Sequence, residues 1–160
     1  MKTHNYNTTV TWTGNQGKGT TNYKSYNRNH TIANSNKSQT ILASADPTFF
    51  GDDTRYNPEE LLLSSISSCH MLWYLHLCAT NNIIVTDYTD HAEGIMQENK
   101  DGSGQFTSVT LHPKVTVADA SMITKANQLH HKANTMCFIA RSCNFPIIHN
   151  AFAEASPCKD

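Results

Sequence analysis

The 160-residue chain has no Cys-x-x-Cys pair, little charge, no run of like charges and only three arginines, Arg28, Arg55 and Arg141. Each absence excludes something. Without paired-cysteine spacing, neither a thioredoxin motif nor a zinc ribbon is supported. The five cysteines, Cys69, Cys78, Cys137, Cys143 and Cys158, are odd in number and irregularly spaced. That suits free or reactive thiols better than a disulfide framework. A formal net charge of -1 leaves no electrostatic footprint for nucleic acid or an anionic membrane. No apolar run in Met1–Asn7 suits a signal peptide, so a cytoplasmic location is expected. No internal repeat is visible, and the length suits one domain over residues 1–160.

What is present is organised around one apolar stretch. Asn57-Pro58-Glu59-Glu60 carries helix start signals in order: an N-cap acceptor, a proline at the first helical position and a capping-box glutamate. Leu62, Ile66, Cys69, Trp73 and His76 then share one face at helical spacing, and five further leucines surround the rest. A helix apolar nearly all round is expected to be buried within its domain. Its length alone would let it span a bilayer, but two glutamates, two histidines and four serines argue against that.

Elsewhere the pattern alternates. Thr8–Thr13, Tyr23–Ile32 and Gln39–Ala43 read as strands, the second placing Tyr26, Arg28 and His30 on one face. The intervening Gly14-Asn15-Gln16-Gly17-Lys18-Gly19 is a turn cluster rather than a phosphate loop, because no helix follows it. Ile83–Met96 and Phe106–Val117 predict an antiparallel hairpin across Lys100–Gly104. Asp119 is a suitable N-cap for a second helix to about Asn134, with Met122, Ala126, Leu129 and Ala133 inward. Pro146–Ile148 reads as a last strand, with a loose tail past Ala153. Strands around two long helices predict an α+β fold.

Asn57-Pro58-Glu59-Glu60-Leu61-Leu62 with Cys69 ten residues after Glu59, followed far downstream by His131 and Cys137-Phe138-Ile139-Ala140-Arg141-Ser142, resembles the OsmC/Ohr family of osmotically inducible and organic hydroperoxide resistance proteins. The likeness is to its general OsmC-like branch; Trp12-Thr13-Gly14 and Arg28-Asn29-His30 extend it towards the N-terminus. Phe138 stands where the Cys-Pro members carry proline. The resemblance implies an intertwined α+β homodimer that acts as a thiol peroxidase on organic hydroperoxides. It implies that Cys69 is the peroxidatic thiolate, Cys137 the resolving thiol, and Arg28 and Glu59 the charged pair organising the site. It implies no cofactor.

The chemistry constrains these roles. A thiolate at Cys69 needs a cation, since the third turn of a helix is beyond the reach of the N-terminal dipole. A guanidinium suits, whether Arg28 or its rival Arg141. Glu59 and Cys69 stand roughly 15 Å apart along one helix, so Glu59 is expected to serve the partner subunit's Cys69. Leu62, Ile66, Trp73, Phe138 and Ile139 form the expected apolar lining for an alkyl or lipid hydroperoxide, and an external thiol or dithiol is the expected reductant. Cys143 is a rival resolving thiol, and Cys78 reads as core. A metal site from His130, His131, Cys137 and Cys143 is disfavoured, because adjacent helical histidines point about 100° apart. A fold kept as a stress-associated or small-ligand-binding dimer, without turnover, is the competing reading.

Overall fold

A computed structural model describes residues 1–157, so Cys158 lies outside the described residues. The chain forms two compact units, Met1–Leu61 and the remainder from Leu62.

In the first unit, β1 (Thr9–Trp12), β2 (His30–Ala33) and β3 (Ile41–Ala43) form an antiparallel sheet in that order. Val10 pairs with Ile32, and Ile32 with Ile41. The strand expected from Tyr23 begins only at His30. Local side-chain bonds interrupt a regular ladder in the segment before it: Asn22 Oδ1 accepts from the Lys24 N–H and Asn27 Oδ1 from the Asn29 N–H, while in the earlier turn Asn15 Oδ1 accepts from the N–H groups of Gly17 and Gly19. Gly17 and Gly19 sit at φ 91 and 54, where a side chain would be strained. Arg28 therefore lies in irregular chain rather than on a strand face.

α1 (Pro58–Thr80) starts as its sequence predicts. The Asn57 N–H donates to Glu60 Oε2 at 3.1 Å, and the Glu60 N–H donates back to Asn57 Oδ1 at 2.8 Å, closing the capping box. The helix is not buried all round. Within the chain only the stripe Ile66, His70, Tyr74, Cys78 is buried, and Leu72 remains 63% exposed. The face read from Leu62, Cys69, Trp73 and His76 lies beside that stripe, half-buried to exposed.

In the second unit both arms of the expected hairpin break in two. β4 (Val85–Asp90) and β5 (Glu93–Glu98) make the outward arm; β6 (Gly104–Leu111) and β7 (Pro113–Val117) return. β5 pairs with β6 and β4 with β7, both antiparallel, but in separate sheets. The break falls at Pro113, which has no N–H for a continuous ladder. Asp90 secures it, accepting from the His112 N–H at 2.7 Å and from the Ser67 hydroxyl of α1. β8 (Ile147–His149) joins β6 and β9 (Phe152–Ala155) joins β7, both parallel. The tail past Ala153 is thus tied into a sheet up to Ala155 rather than loose.

Asp119 caps a short 3-10 turn at Ala120–Met122, accepting from the Ser121 N–H at 2.8 Å, before α2 (Ile123–Met136) begins. Ala126, Leu129, His130 and Ala133 are its buried stripe. Two apolar clusters result. Tyr74, Cys78, Val115, Val117 and, from α2, Ala126, Leu129 and Ala133 belong to one; Ile66, Val109 and Leu111 form the other. This mixture of helices and sheets is the α+β class expected from the sequence.

Candidate active site

α1 offers Cys69 from its third turn, and α2 ends at Cys137, which has left helical backbone at φ -65, ψ 113. Both are free thiols. Cys69 is half-buried and Cys137 wholly buried. Cys69 is a neighbour of Cys137, near enough to shift its titration. Burial pushes the Cys137 thiol up to about 12, and the neighbouring Cys69 pushes in the same direction. The Ala140 N–H donates to the Cys137 sulfur at 3.3 Å, a partial compensation that favours the anion. Cys137 is therefore held as the neutral thiol.

Phe138, just beyond, is 66% exposed and meets Trp73 edge-on, ring centroids 5.5 Å apart; Trp73 meets His76 in the same manner at 5.7 Å. Trp73 thus lies on the same flank of α1 as Cys69, one turn on. Leu62 and Ile139 pack on the second apolar cluster. Ile66, expected to line the pocket, is wholly buried within that cluster between Val109 and Leu111 and offers no surface to a ligand. Cys143 is half-buried, with its thiol pushed up by burial and donating to the Ile139 carbonyl. Cys78 is buried core.

The remaining expected residues belong to the first unit. Arg28 donates through Nη1 to the Tyr26 carbonyl at 2.7 Å and through Nη2 to the Tyr23 carbonyl at 2.8 Å. Its guanidinium lies over the rings of Tyr23 and Tyr26, at 4.2 and 4.4 Å from their centroids. That arrangement holds the cation rigid and poorly hydrated. Glu59 occupies the first turn of α1, and no Arg28–Glu59 ion pair occurs among the described residues.

His70 of α1 and His130 of α2 form a buried imidazole cluster. His70 Nε2 and His130 Nδ1 are 3.0 Å apart, their rings nearly parallel at 8°; Tyr74 stacks on His130 at 3.8 Å, and His149 lies 5.7 Å from His70. Burial pulls His70 down to about 4 and His130 to about 3. The signal was present: Ala126, His130, Ala133 and Cys137 repeat at helical spacing, so His130 belongs to the inward stripe. No group of three or more His, Cys, Asp or Glu among the described residues is placed to hold a metal ion.

Residues 51–150 match the model of the family described as OsmC-like protein. The chain belongs to that family. It is similar to an OsmC-like protein of unknown function from Vibrio cholerae, with 31% identity, 94% of this chain and 100% of that one covered, and a TM-score of 0.84. An OsmC-like protein from Mycoplasma pneumoniae shares the fold at 15% identity, with 94% and 97% covered and a TM-score of 0.70. An organic hydroperoxide resistance protein from Elizabethkingia anophelis does so at 18%, with 98% and 100% covered and a TM-score of 0.66. No curated protein matches the chain. In this OsmC-like chain α1 carries Cys69 and the end of α2 leads into Cys137, both free thiols.

Proposed function

We propose that this OsmC-like protein is a two-cysteine thiol peroxidase that reduces organic hydroperoxides. The observation that carries the reading is that half-buried Cys69 neighbours wholly buried Cys137, so the two thiols differ in access and burial holds the deeper one protonated. The Cys69 thiolate attacks the outer peroxide oxygen. The O–O bond breaks, the alkoxide leaves as an alcohol after taking up a proton, and Cys69 becomes a sulfenic acid. The Cys137 sulfur then attacks the Cys69 sulfur; its proton leaves with the sulfenic hydroxyl as water, and a disulfide remains. An external thiol or dithiol returns two electrons by exchange.

Arg28, already held by two carbonyls and two rings, is assigned the stabilisation of the Cys69 thiolate, with Glu59 orienting it across a dimer. Trp73 and Phe138, with Leu62 and Ile139 beneath, are assigned to the organic part of the peroxide. The homodimer is supported by apolar surface that one copy leaves open: Leu72 on α1, and Val10 and Leu42 on the first sheet. Residues 1–160 are taken as one OsmC-like domain, acting in the cytoplasm.

The test is a free-thiol count with mass mapping before and after one equivalent of cumene hydroperoxide. The expected result is the loss of two thiols and a Cys69–Cys137 disulfide within seconds. If Cys69 stays reduced, the reading fails. A binding role would then lead, favoured by a pocket of about 500 Å³ beside α1 lined by Ser64, Ser67, Ser68, Tyr88 and Asp90.

A further inference from the structure

His70 stands on α1 one turn after Ile66 of one apolar cluster and one turn before Tyr74 of the other. Hydrocarbon would fill this junction without desolvating any polar atom. Instead the chain buries two imidazoles, each 1% exposed, and leaves His70 Nδ1 and His130 Nε2 without a hydrogen-bond partner among the described residues. Such a pair adds little stability for its desolvation cost. What it adds is geometry. A 3.0 Å bond between two rings lying within 8° of parallel breaks when α1 slides or rotates on α2, whereas apolar contacts tolerate such motion.

The thiols ride on the same two helices. Cys69 precedes His70 on α1 and points about 100° away from it. Cys137 follows His130 by seven residues, roughly 10 Å along α2. The helices therefore meet at two places, bonded at the imidazole pair and bringing free thiols near each other at the other. The groups facing the pair are His149 from β8, itself acted on by His131, the Tyr74 ring from α1, and Asp90 from β4. Asp90 already accepts from Ser67 and the His112 N–H, so the imidazole bond has no carboxylate competing for it at hydrogen-bonding distance.

We propose that the His70–His130 hydrogen bond is a positioning clamp that sets α1 on α2 so that Cys69 can form a disulfide with Cys137. The proposal deepens the two-cysteine reading above and rests on it. The clamp touches neither peroxide nor sulfur. It acts through the helices.

The test equilibrates the full chain with reduced and oxidised glutathione at pH 7 and maps the Cys69–Cys137 disulfide by mass. The two thiols give up two electrons and two protons, and one glutathione disulfide becomes two thiols. H130N keeps an amide near the Nδ1 position; H130Q carries it past that position. The pairing constant is expected to fall by about tenfold or more in H130Q and to stay within about threefold of wild type in H130N. Circular dichroism accompanies both. If the His130 variants do not fold, H70Q, which keeps an amide near Nε2, against H70N makes the same comparison. An unchanged constant in H130Q overturns the clamp. So does an equal fall in both variants, or a wild-type chain that never pairs these thiols. Because no peroxide is used, a chain that pairs its thiols with glutathione yet ignores cumene hydroperoxide overturns the peroxidase reading alone.

Discussion

Cys137 lies wholly buried beside half-buried Cys69, and burial first, then the neighbouring Cys69, push the pKa of the deeper thiol up. The arrangement separates two oxidation events that a solvent-exposed pair would blur. C69S is expected to lose all peroxide-dependent oxidation at one equivalent. C137S is expected to lose a single thiol and to accumulate a Cys69 sulfenic acid that dimedone traps. Mass mapping reads both. A dimedone adduct on Cys137 in C69S, at a rate near that of wild type, would reverse the assignment.

The capping box makes a second prediction. Asn57 is nearly buried and exchanges backbone bonds with Glu60. N57A leaves the Glu60 N–H unpaired at the start of α1 and is expected to cost about 1 kcal/mol in urea unfolding. E60A removes the reciprocal bond and should cost less, since the Asn57 oxygen still serves the helix. Equal midpoints for N57A and wild type would show that the helix start is held by its packing alone.

Ile66 and Phe138 were grouped as peroxide lining, and the structure separates them. I66A empties a site between Val109 and Leu111 and is expected to cost about 2–5 kcal/mol of stability. F138A removes an exposed ring and should cost about 1 kcal/mol or less, mostly its edge-on contact with Trp73. Its effect belongs to substrate choice: the KM for cumene hydroperoxide should rise several-fold while the rate with hydrogen peroxide stays the same. An equal loss with both peroxides would remove Phe138 from the lining.

These contrasts mark where the sequence was legible. The start of α1 and the α+β class followed from local signals, namely caps, helical period and turn residues, whereas the two cysteine segments were read from the resemblance to the OsmC/Ohr family. The length of β2 did not, because the Asn22 and Asn27 side chains accept from the Lys24 and Asn29 N–H groups that its alternation promised to a ladder. Nor did the parallel pairing of β9 with β7, which joins Lys114 to Phe152 across a separation no local pattern reports. The sequence left the buried stripe of α1 open. All its faces are apolar, so periodicity could not choose between the stripe through Cys69 and the stripe through His70. The partner imidazole on α2 makes that choice.

That imidazole pair gives the protein a pH signature. His70 and His130 titrate in the folded chain at about 4 and about 3, against 6.5 when unfolded, because burial penalises the charged ring. Between these limits the unfolded chain binds more protons, so stability rises with pH there and is fully present above 6.5. It is expected to fall as pH drops from 6.5 towards 4, by up to about 1.4 kcal/mol per pH unit for each histidine. Asp46, Asp52, Asp101 and Asp119, exposed and held below their usual 3.8 mainly by hydroxyls and N–H groups two residues on, lose their contribution only at still lower pH. The two sources therefore separate along the pH axis. Urea midpoints at half-unit intervals from pH 7.5 to 3.5 should decline from about 6.5 in wild type, and the decline should be shallower in an H70Q/H130N double variant, whose amides do not titrate. A wild-type curve that stays level down to pH 4 would mean that the imidazoles accept protons without opening the fold.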